Sequence, residues 1–238
     1  TSSIPAEGKS LINILFAKIL GDMGKKVLLI DSDLRKPQIH KRLGLDNIMG
    51  FSNLITDNNL KIQDVIRNTE LSNNLSVITA GIRPPDPTLL LSSSRMQEIV
   101  NILREEDYEF IIFDTPPVIG ISDASLISDL VDGLILIVSL NKVDKNLPKE
   151  SFKLLSKTKS TKLGFVSNSV REIKLSGFLN YNYSAYSYKY GYGYGSSYAD
   201  ISSYVEDEDE NENENENESN IVTNNASRNQ TNINQIPW

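Results

Sequence analysis

The sequence predicts an α/β fold: a doubly wound, mostly parallel sheet with helices on both faces. Short apolar runs rich in β-branched residues alternate with helix-like stretches as far as about residue 170. Runs that are hydrophobic on both sides are typical of central parallel strands covered on both faces. The regular strand–helix alternation favours crossover helices between parallel strands.

The individual elements follow from the same patterns. The predicted strands lie at 27–30, 75–80, 110–113, 134–140 and 164–167. The predicted helices lie at 10–23, 92–106, 122–130 and 148–159. In the second helix, apolar residues recur every three to four positions and predict one inward face. They are Met96, Ile99, Val100 and Leu103.

The composition excludes several classes of function. The chain has no cysteine, which excludes disulfides, thiolate zinc sites and cysteine nucleophiles, and His40 is its only histidine. The net charge is −7, but nine acidic residues lie between Glu206 and Glu218, so the rest of the chain carries +2. A nearly neutral body gives no support for a nucleic-acid surface. The longest apolar run, 133–140, is far shorter than the roughly 20 residues that span a bilayer, so we expect a soluble, cytoplasmic chain.

The tail differs from the body. We predict a nucleotide-binding domain at 1–170, a tyrosine-rich tail at 171–205 and an acidic, Asn-rich disordered tail at 206–238. Nine of the ten tyrosines fall in the middle segment: Tyr181, Tyr183, Tyr186, Tyr188, Tyr190, Tyr192, Tyr194, Tyr198 and Tyr204. They are interleaved with Gly, Ser and Asn, which keep a chain mobile. The segment is therefore either the substrate of a phosphoryl-transfer site or a low-complexity adhesive linker.

The run SIPAEGKS at 3–10 predicts a phosphate-binding loop of the P-loop NTPase type, with Ser3 where the first Gly is usual. In such a loop backbone N–H groups wrap the phosphates, and the helix N-terminus adds its positive dipole end. Lys9 would reach the β- and γ-phosphates, and the Ser10 hydroxyl would bind Mg²⁺. The predicted cofactor-binding residues are Pro5, Glu7, Gly8, Lys9, Ser10 and Leu11. Because this loop normally follows a buried strand, we expect the first strand to be missing at the N-terminus.

Acidic residues follow two predicted strands. VLLIDSDLRKP ends one strand with Asp31, Asp33 and Arg35, and FIIFDTPP ends another with Asp114. A single aspartate in such a place is commonly a helix cap or a turn residue. Three of them at strand ends, in a chain with a phosphate-binding loop, indicate a site for a nucleotide and Mg²⁺.

One motif points elsewhere. The run NKVD at 141–144 matches the guanine-reading pattern of GTPases and follows a strand. A GTPase, however, should have Gly three residues after its strand-end aspartate, and Pro117 stands there. We therefore expect ATP rather than GTP.

Together, PAEGKS, LLIDSDLRKPQIH, GIRPPDPTLLLSS and FIIFDTPPVIGISDA, followed by the tyrosine cluster, resemble the bacterial tyrosine kinases (BY-kinases). These are cytoplasmic kinase domains attached to, or partnered with, membrane proteins that govern capsule and exopolysaccharide synthesis. The resemblance covers about residues 1–204 and implies an ATP- and Mg²⁺-dependent, non-specific protein-tyrosine kinase that phosphorylates its own tail in trans.

The resemblance also implies roles for individual residues. Lys9 and Ser10 would belong to the Walker A loop, Asp31 and Asp33 to the Walker A′ motif, and Asp114 to Walker B. Asp31 would orient and deprotonate the attacking tyrosine. Asp33 and Asp114, together with the Ser10 hydroxyl, would help to hold Mg²⁺.

The partners implied are neighbouring subunits of a homo-oligomer, a membrane polysaccharide co-polymerase or activator segment, fused or separate, and a cognate tyrosine phosphatase. The expected location is peripheral, at the inner face of the cell membrane. Compared with the family, we expect this sequence to be without the upstream arginine motif that serves ring assembly and without the activator segment. The family's PPNP stretch reads PPDP at 84–87, and Leu11 stands where Thr is frequent.

Two other functions share the predicted fold. A partitioning or division-site ATPase would carry a further lysine at the position of Ile4, and its absence disfavours that class. A regulatory module that binds nucleotide without kinase activity is disfavoured by the intact Lys9, Asp31, Asp33 and Asp114.

Overall fold

The computed structural model of the chain describes residues 1–140 and 143–168. The predictions for the tails at 171–205 and 206–238 lie outside the described residues. The helices are α1 (Lys9–Asp22), α2 (Ile39–Arg42), α3 (Phe51–Thr56), α4 (Ile62–Val65), α5 (Pro87–Leu91), α6 (Ser94–Glu105), α7 (Asp123–Ser128) and α8 (Leu147–Leu155). The strands are β1 (Val27–Asp31), β2 (Ile66–Asn68), β3 (Leu75–Ile78), β4 (Phe110–Asp114), β5 (Gly133–Ser139) and β6 (Thr161–Asn168).

The main sheet confirms the predicted parallel α/β architecture. Its four strands lie in the order β2-β3-β1-β4, and β1 runs parallel to both β3 and β4. The short edge strand β2 pairs antiparallel with β3 and was not predicted. The register places Asp31 opposite Asp114, so two predicted acidic residues end neighbouring strands at the same edge of the sheet.

Both faces of this sheet are covered, as the two-sided hydrophobicity predicts. Leu28 and Ile30 of β1 belong to a buried cluster that includes the inward residues of α6. Leu29 belongs to a second cluster with Ile14 and Ala17 of α1. Because successive side chains of a strand point to opposite faces, one buried strand serves both layers. The four predicted inward residues of α6 are all buried, which confirms that stripe.

The strand predicted at 75–80 is shorter in the structure and ends at Ile78. The reason lies at the start of α3. The Thr79 carbonyl accepts a hydrogen bond from the Phe51 N–H at 2.7 Å, and the Ala80 carbonyl accepts one from the Ser52 N–H at 2.9 Å. Because these two carbonyls accept hydrogen bonds from the first N–H groups of α3, they do not pair with a neighbouring strand, and β3 ends before them.

β5 and β6 form a separate parallel pair. Ser2 makes a parallel bridge to Ile137 of β5, and the Val118 N–H donates to the Ser2 carbonyl at 2.9 Å. The first residues therefore run between β5 and the loop that follows β4. This route brings the predicted phosphate-binding loop to the carboxyl ends of the strands.

The prediction of a central, two-sided buried strand at 164–167 is wrong. β6 lies at the edge of its sheet, and Phe165 is 57% exposed. Its ring packs against that of Phe152 in α8, with centroids 5.7 Å apart. An apolar run of this length does not distinguish a strand buried on both faces from an edge strand.

In the described residues no helix is long and apolar enough to cross a membrane.

Candidate nucleotide-binding site

The predicted phosphate-binding loop has a backbone shaped to accept anions. Ala6 has φ 60° and Gly8 has φ 80°, and Ala6 is the one non-glycine residue with positive φ in the described part of the chain. Left-handed backbone at an alanine costs about 1–3 kcal/mol and is kept only where neighbours hold it. Gly8 caps α1 without a side-chain hydrogen bond. The first N–H groups of α1 therefore have no capping side chain, which suits a bound phosphate.

Glu7 holds this loop through its buried side chain. One carboxylate oxygen accepts a hydrogen bond from the Ile4 N–H at 2.8 Å, and the other accepts one from the Ser139 N–H at 3.0 Å. The Glu7 carbonyl accepts a further bond from Asn168 Nδ2 at 2.9 Å. The side chain of Glu7 therefore closes the loop on itself through Ile4 and ties it to the end of β5 through Ser139.

Lys9 lies among the strand-end carboxylates. Its Nζ is 3.1 Å from Asp33 Oδ2 and 3.8 Å from Asp114 Oδ1, and it donates to the Ser10 hydroxyl at 3.2 Å. Burial lowers the pKa of Lys9, but the carboxylates of Asp114 and Asp33 outweigh that effect and raise the pKa above its ordinary value. The lysine is thus held in its charged form, as a phosphate-binding cation must be.

Asp31 is fully buried at the end of β1. Its Oδ2 accepts hydrogen bonds from the N–H groups of Gln38 at 3.1 Å and Ile39 at 3.0 Å, while Oδ1 has no partner. Burial, followed by the charge of Asp114, raises the pKa of Asp31 to about 8. A carboxyl group with a pKa near the working pH is suited to proton transfer.

Asp114 completes the acidic group at the end of β4. Asn13 Nδ2, from the second turn of α1, donates to its Oδ1 at 2.8 Å, whereas Oδ2 is buried without a partner. Asp33 turns the chain after β1, because its Oδ1 accepts from the N–H groups of Arg35 and Lys36 at 3.3 and 3.0 Å. Its other oxygen contacts Lys9.

These residues fit a magnesium–nucleotide complex. Among the described residues no three carboxylates or histidines are arranged to enclose a metal by themselves. Mg²⁺ commonly keeps several waters and takes one or two protein oxygens beside the phosphates. The Ser10 hydroxyl lies 3.2 Å from Lys9 Nζ, and Asp114 Oδ2 is a hard acceptor buried without a donor. The donor set therefore suits Mg²⁺ bound with a nucleotide rather than an all-protein metal site.

Arg35 makes a separate network that supports the strand end. Its Nε and Nη2 donate to the two oxygens of buried Asp123 at 2.7 and 3.1 Å, and Nη2 also donates to the Thr88 hydroxyl at 2.7 Å. The Thr88 hydroxyl in turn donates to Asp123 at 2.7 Å. This network ties the segment after β1 to α5 and α7.

The structure brings together the predicted Lys9, Ser10, Asp31, Asp33 and Asp114. Pro5 lies exposed in the loop, and Leu11 is half-buried in α1. Asn141 and Lys142 of the NKVD run and the nine clustered tyrosines lie outside the described residues. Sequence reasoning missed Asn13, Asp123 and Asn168. A polar residue one helical turn after Ser10 was the signal available for Asn13. Asp123 lies within the FIIFDTPPVIGISDA run but was given no role there, and nothing local marked Asn168.

Comparison with known proteins decides the family. The AAA domain family model matches residues 7–143. The chain is 37% identical over 181 residues to the tyrosine-protein kinase YwqD of Bacillus subtilis, covering 76% of this chain and 75% of that protein. It is also 37% identical over 181 residues to the putative tyrosine-protein kinase CapB of Staphylococcus aureus, covering 76% and 78%. The chain belongs to the bacterial tyrosine-kinase family of capsule and exopolysaccharide synthesis.

Solved structures agree with this family and with the predicted fold. The chimerical protein CapA2B2 is 34% identical, with a TM-score of 0.68 over 72% of this chain and 75% of that one. The septum site-determining protein MinD of Pyrococcus horikoshii, complexed with Mg-ADP, is 23% identical, with a TM-score of 0.56 over 68% and 65%. That likeness concerns the fold alone, so the partitioning or division-site ATPases are only distant structural relatives.

Proposed function

We propose that this protein is an ATP- and Mg²⁺-dependent protein-tyrosine kinase that phosphorylates its own C-terminal tyrosines in trans and so regulates capsule or exopolysaccharide synthesis. The observation that carries the proposal is the buried group at the N-terminus of α1, where Lys9 lies 3.1 Å from Asp33 and 3.8 Å from Asp114. Membership of a family of tyrosine kinases supports this assignment, as does the nine-tyrosine segment of the same chain.

Lys9 would bind the β- and γ-phosphates from one side, and the N–H groups of the loop would bind them from the other. The Ser10 hydroxyl and the carboxylates of Asp33 and Asp114 would hold Mg²⁺, which neutralises charge on the transferred phosphoryl group. In a loose transition state, positioning and charge neutralisation contribute more than covalent chemistry. Lys9 is already fixed by two carboxylates, so its ammonium group is positioned before ATP arrives.

Asp31 would orient the attacking phenol and accept its proton. Its Oδ2 is occupied by two backbone N–H groups, which leaves Oδ1 for the tyrosine hydroxyl. The pKa of about 8 makes this carboxylate a stronger base than an ordinary aspartate, and closer to the roughly 10 of a tyrosine hydroxyl. The proton would pass from the phenol to Oδ1 as the phenol oxygen bonds to phosphorus and the ADP oxygen leaves.

The tyrosines at 181–204 would enter the site of a neighbouring subunit, as the family resemblance implies. The same resemblance supports a membrane co-polymerase or activator segment as a partner, and a cognate tyrosine phosphatase that reverses the reaction. Such partners would keep the kinase peripheral at the inner face of the cell membrane. A nucleic-acid partner is not proposed, since the body of the chain is nearly neutral.

The test is phosphotyrosine mapping by mass spectrometry after the full chain, with an activator segment, is incubated with ATP and Mg²⁺. We expect phosphate at 181–204. Replacing all nine tail tyrosines with Phe should remove it and leave ATP binding intact. Tyr108→Phe is the matched control, because this half-buried residue packs against the core and its ring is retained. Phosphate found mainly at Tyr108, or none at all with activator present, would contradict the proposal.

A further inference from the structure

The peptide between Glu7 and Gly8 is held from outside the loop. The Glu7 carbonyl accepts a hydrogen bond from Asn168 Nδ2 at 2.9 Å, and the Glu7 carboxylate accepts one from the Ser139 N–H at 3.0 Å. Ser139 and Asn168 are the last residues of β5 and β6, and they face each other in the sheet register. The ends of two strands thus hold one residue of the phosphate-binding loop: Asn168 binds the carbonyl of Glu7, and Ser139 binds its side chain.

The hold on the carbonyl determines where the neighbouring N–H points. In a trans peptide the C=O and N–H bonds point in opposite directions. Because Asn168 holds the Glu7 carbonyl on its own side, the Gly8 N–H points away from β6. That N–H donates to no acceptor among the described residues, and it stands directly before the uncapped N-terminus of α1. It is therefore free for an anion at the helix start.

Asn168 also packs against the loop at Gly8. A Cβ added to Gly8 would lie 2.3 Å from Asn168 Nδ2, which is far inside contact distance. Gly8 also has φ 80°, a conformation that side-chain-bearing residues rarely adopt. Asn168 thus occupies the space that a larger residue at Gly8 would need, and the two positions depend on each other.

We propose that Asn168 is a positioning residue for nucleotide binding, acting on the phosphates through the Glu7–Gly8 peptide and not by touching the nucleotide. The inference rests on the proposed nucleotide-binding function and extends it to a residue 161 positions away in the chain. Without the Asn168 donor, the peptide is free to rotate and to turn its carbonyl, instead of the Gly8 N–H, toward the phosphates. Asn168→Asp places a carboxylate against the Glu7 carbonyl and should favour that rotation. Asn168→Ala only removes the donor.

The experiment compares two probes on the full chain with Mg²⁺. Labelled ADP reports binding of the whole nucleotide, and inorganic tripolyphosphate, which has no base or ribose, is measured by its displacement of ADP. We expect Asn168→Asp to weaken both probes by the same factor, about tenfold, and Asn168→Ala to weaken both by about threefold. Ser167→Ala, an exposed neighbour on β6, should change neither affinity.

The NMR amide resonance of Gly8 supplies a second readout, whose response to ligand would not be changed by a general loss of stability. In the wild-type protein it should shift on adding tripolyphosphate, and in Asn168→Asp that shift should be lost while the folded spectrum is kept. If Asn168→Asp does not fold, Asn168→Ala carries the same comparison.

Each other result overturns the inference in its own way. Loss of ADP affinity with tripolyphosphate affinity unchanged would mean that Asn168 touches the base or ribose. Unchanged affinity for both probes would mean that the hold on Glu7 is dispensable. Tripolyphosphate that displaces no ADP from the wild-type protein would show that the loop does not cradle phosphates. Wild-type protein that binds no ADP would instead refute the proposed function, before any variant is tested.

Discussion

The two sheets of this protein contribute to the site in different ways. β1, in the four-stranded sheet, is buried along its whole length and ends in Asp31, next to Asp114 of β4. β6, in the two-stranded sheet, is mostly exposed and ends in Asn168. The first sheet delivers charged groups to the site. The second delivers two hydrogen bonds to Glu7 of the loop, one to its carbonyl and one to its carboxylate.

The difference shows why a site needs both kinds of support. Asp31, buried at the end of β1, has a raised pKa because burial excludes water and the like charge of Asp114 lies close by. An exposed strand offers no such environment, but its end still fixes a backbone direction through hydrogen bonds. The proposed catalytic groups thus lie at the buried ends of β1 and β4. The conformation of the loop is instead held by the end of β6, a strand that contributes little to the core.

Lys9→Met should have the largest effect on transfer. It removes the cation that lies between Asp33 and Asp114, and we expect autophosphorylation to fall by about 10³-fold. The measurement is the rate of phosphotyrosine formation with activator present. Lys18→Met is the control, because Lys18 lies on the same helix and makes only an exposed pair with Asp22. Near-normal transfer by Lys9→Met would show that the carboxylates delivered by the first sheet do not form the transfer site together with Lys9.

Shortening a side chain should destabilise the protein more in the first sheet than in the second. Ile30→Ala in β1 removes a fully buried side chain, and we expect the free energy of unfolding to fall by about 3 kcal/mol. Phe165→Ala in β6 removes a ring that is 57% exposed and packs on Phe152, so the expected loss is about 1 kcal/mol or less. Urea denaturation measures both, and equal losses would mean that β6 is covered in solution.

Asp31→Asn should lower transfer by about 10²-fold, since it removes the proposed base. It should also change the dependence of stability on pH, measured without nucleotide or Mg²⁺. The folded pKa of about 8 lies above the ordinary 3.8, so the folded protein binds the proton more tightly and loses stability as pH rises between these values. Asparagine does not titrate, so the variant should not lose this stability. As pH rises through that window, its free energy of unfolding should therefore increase relative to that of the wild-type protein by up to about 1.4 kcal/mol per pH unit.

Urea midpoints at pH 5 and pH 8 compare the two proteins. Asp107→Asn is the control, because the side chain of Asp107 is 91% exposed. A difference between Asp31→Asn and wild type that stays constant with pH would show that Asp31 titrates as an ordinary aspartate in the folded state.

The smallest expected effect concerns magnesium. Asp114→Asn should raise the Mg²⁺ concentration needed for half-maximal nucleotide binding by about tenfold, and Asn13→Ala, which removes the hydrogen bond to Asp114 Oδ1, by about threefold. Titration of labelled-ADP binding with Mg²⁺ measures both shifts. Asp22→Asn is the control, because Asp22 is the last residue of α1, the helix that carries Asn13. No shift in Asp114→Asn would exclude that carboxylate from the magnesium site.

Local patterns in the sequence were enough for the parallel fold, for the helix stripe of α6 and for the phosphate-binding loop ending in Lys9 and Ser10. They also placed Asp31, Asp33 and Asp114 at the ends of strands. These features depend on residues that are close in the chain, because hydrogen-bonding geometry in helices, strands and turns repeats over short and regular spacings. A parallel sheet then brings such strand ends to one edge.

Only the tertiary structure decided the rest. The exposure of β6, the partnerless oxygens of Asp31 and Asp114, and the raised pKa of Asp31 follow from which elements pack together. The contact of Asn168 with Glu7 spans 161 positions, and that of Asn13 with Asp114 spans 101. No local spacing encodes such pairs. An asparagine at a strand end is an ordinary turn residue until the order of strands places a loop carbonyl within reach of its amide.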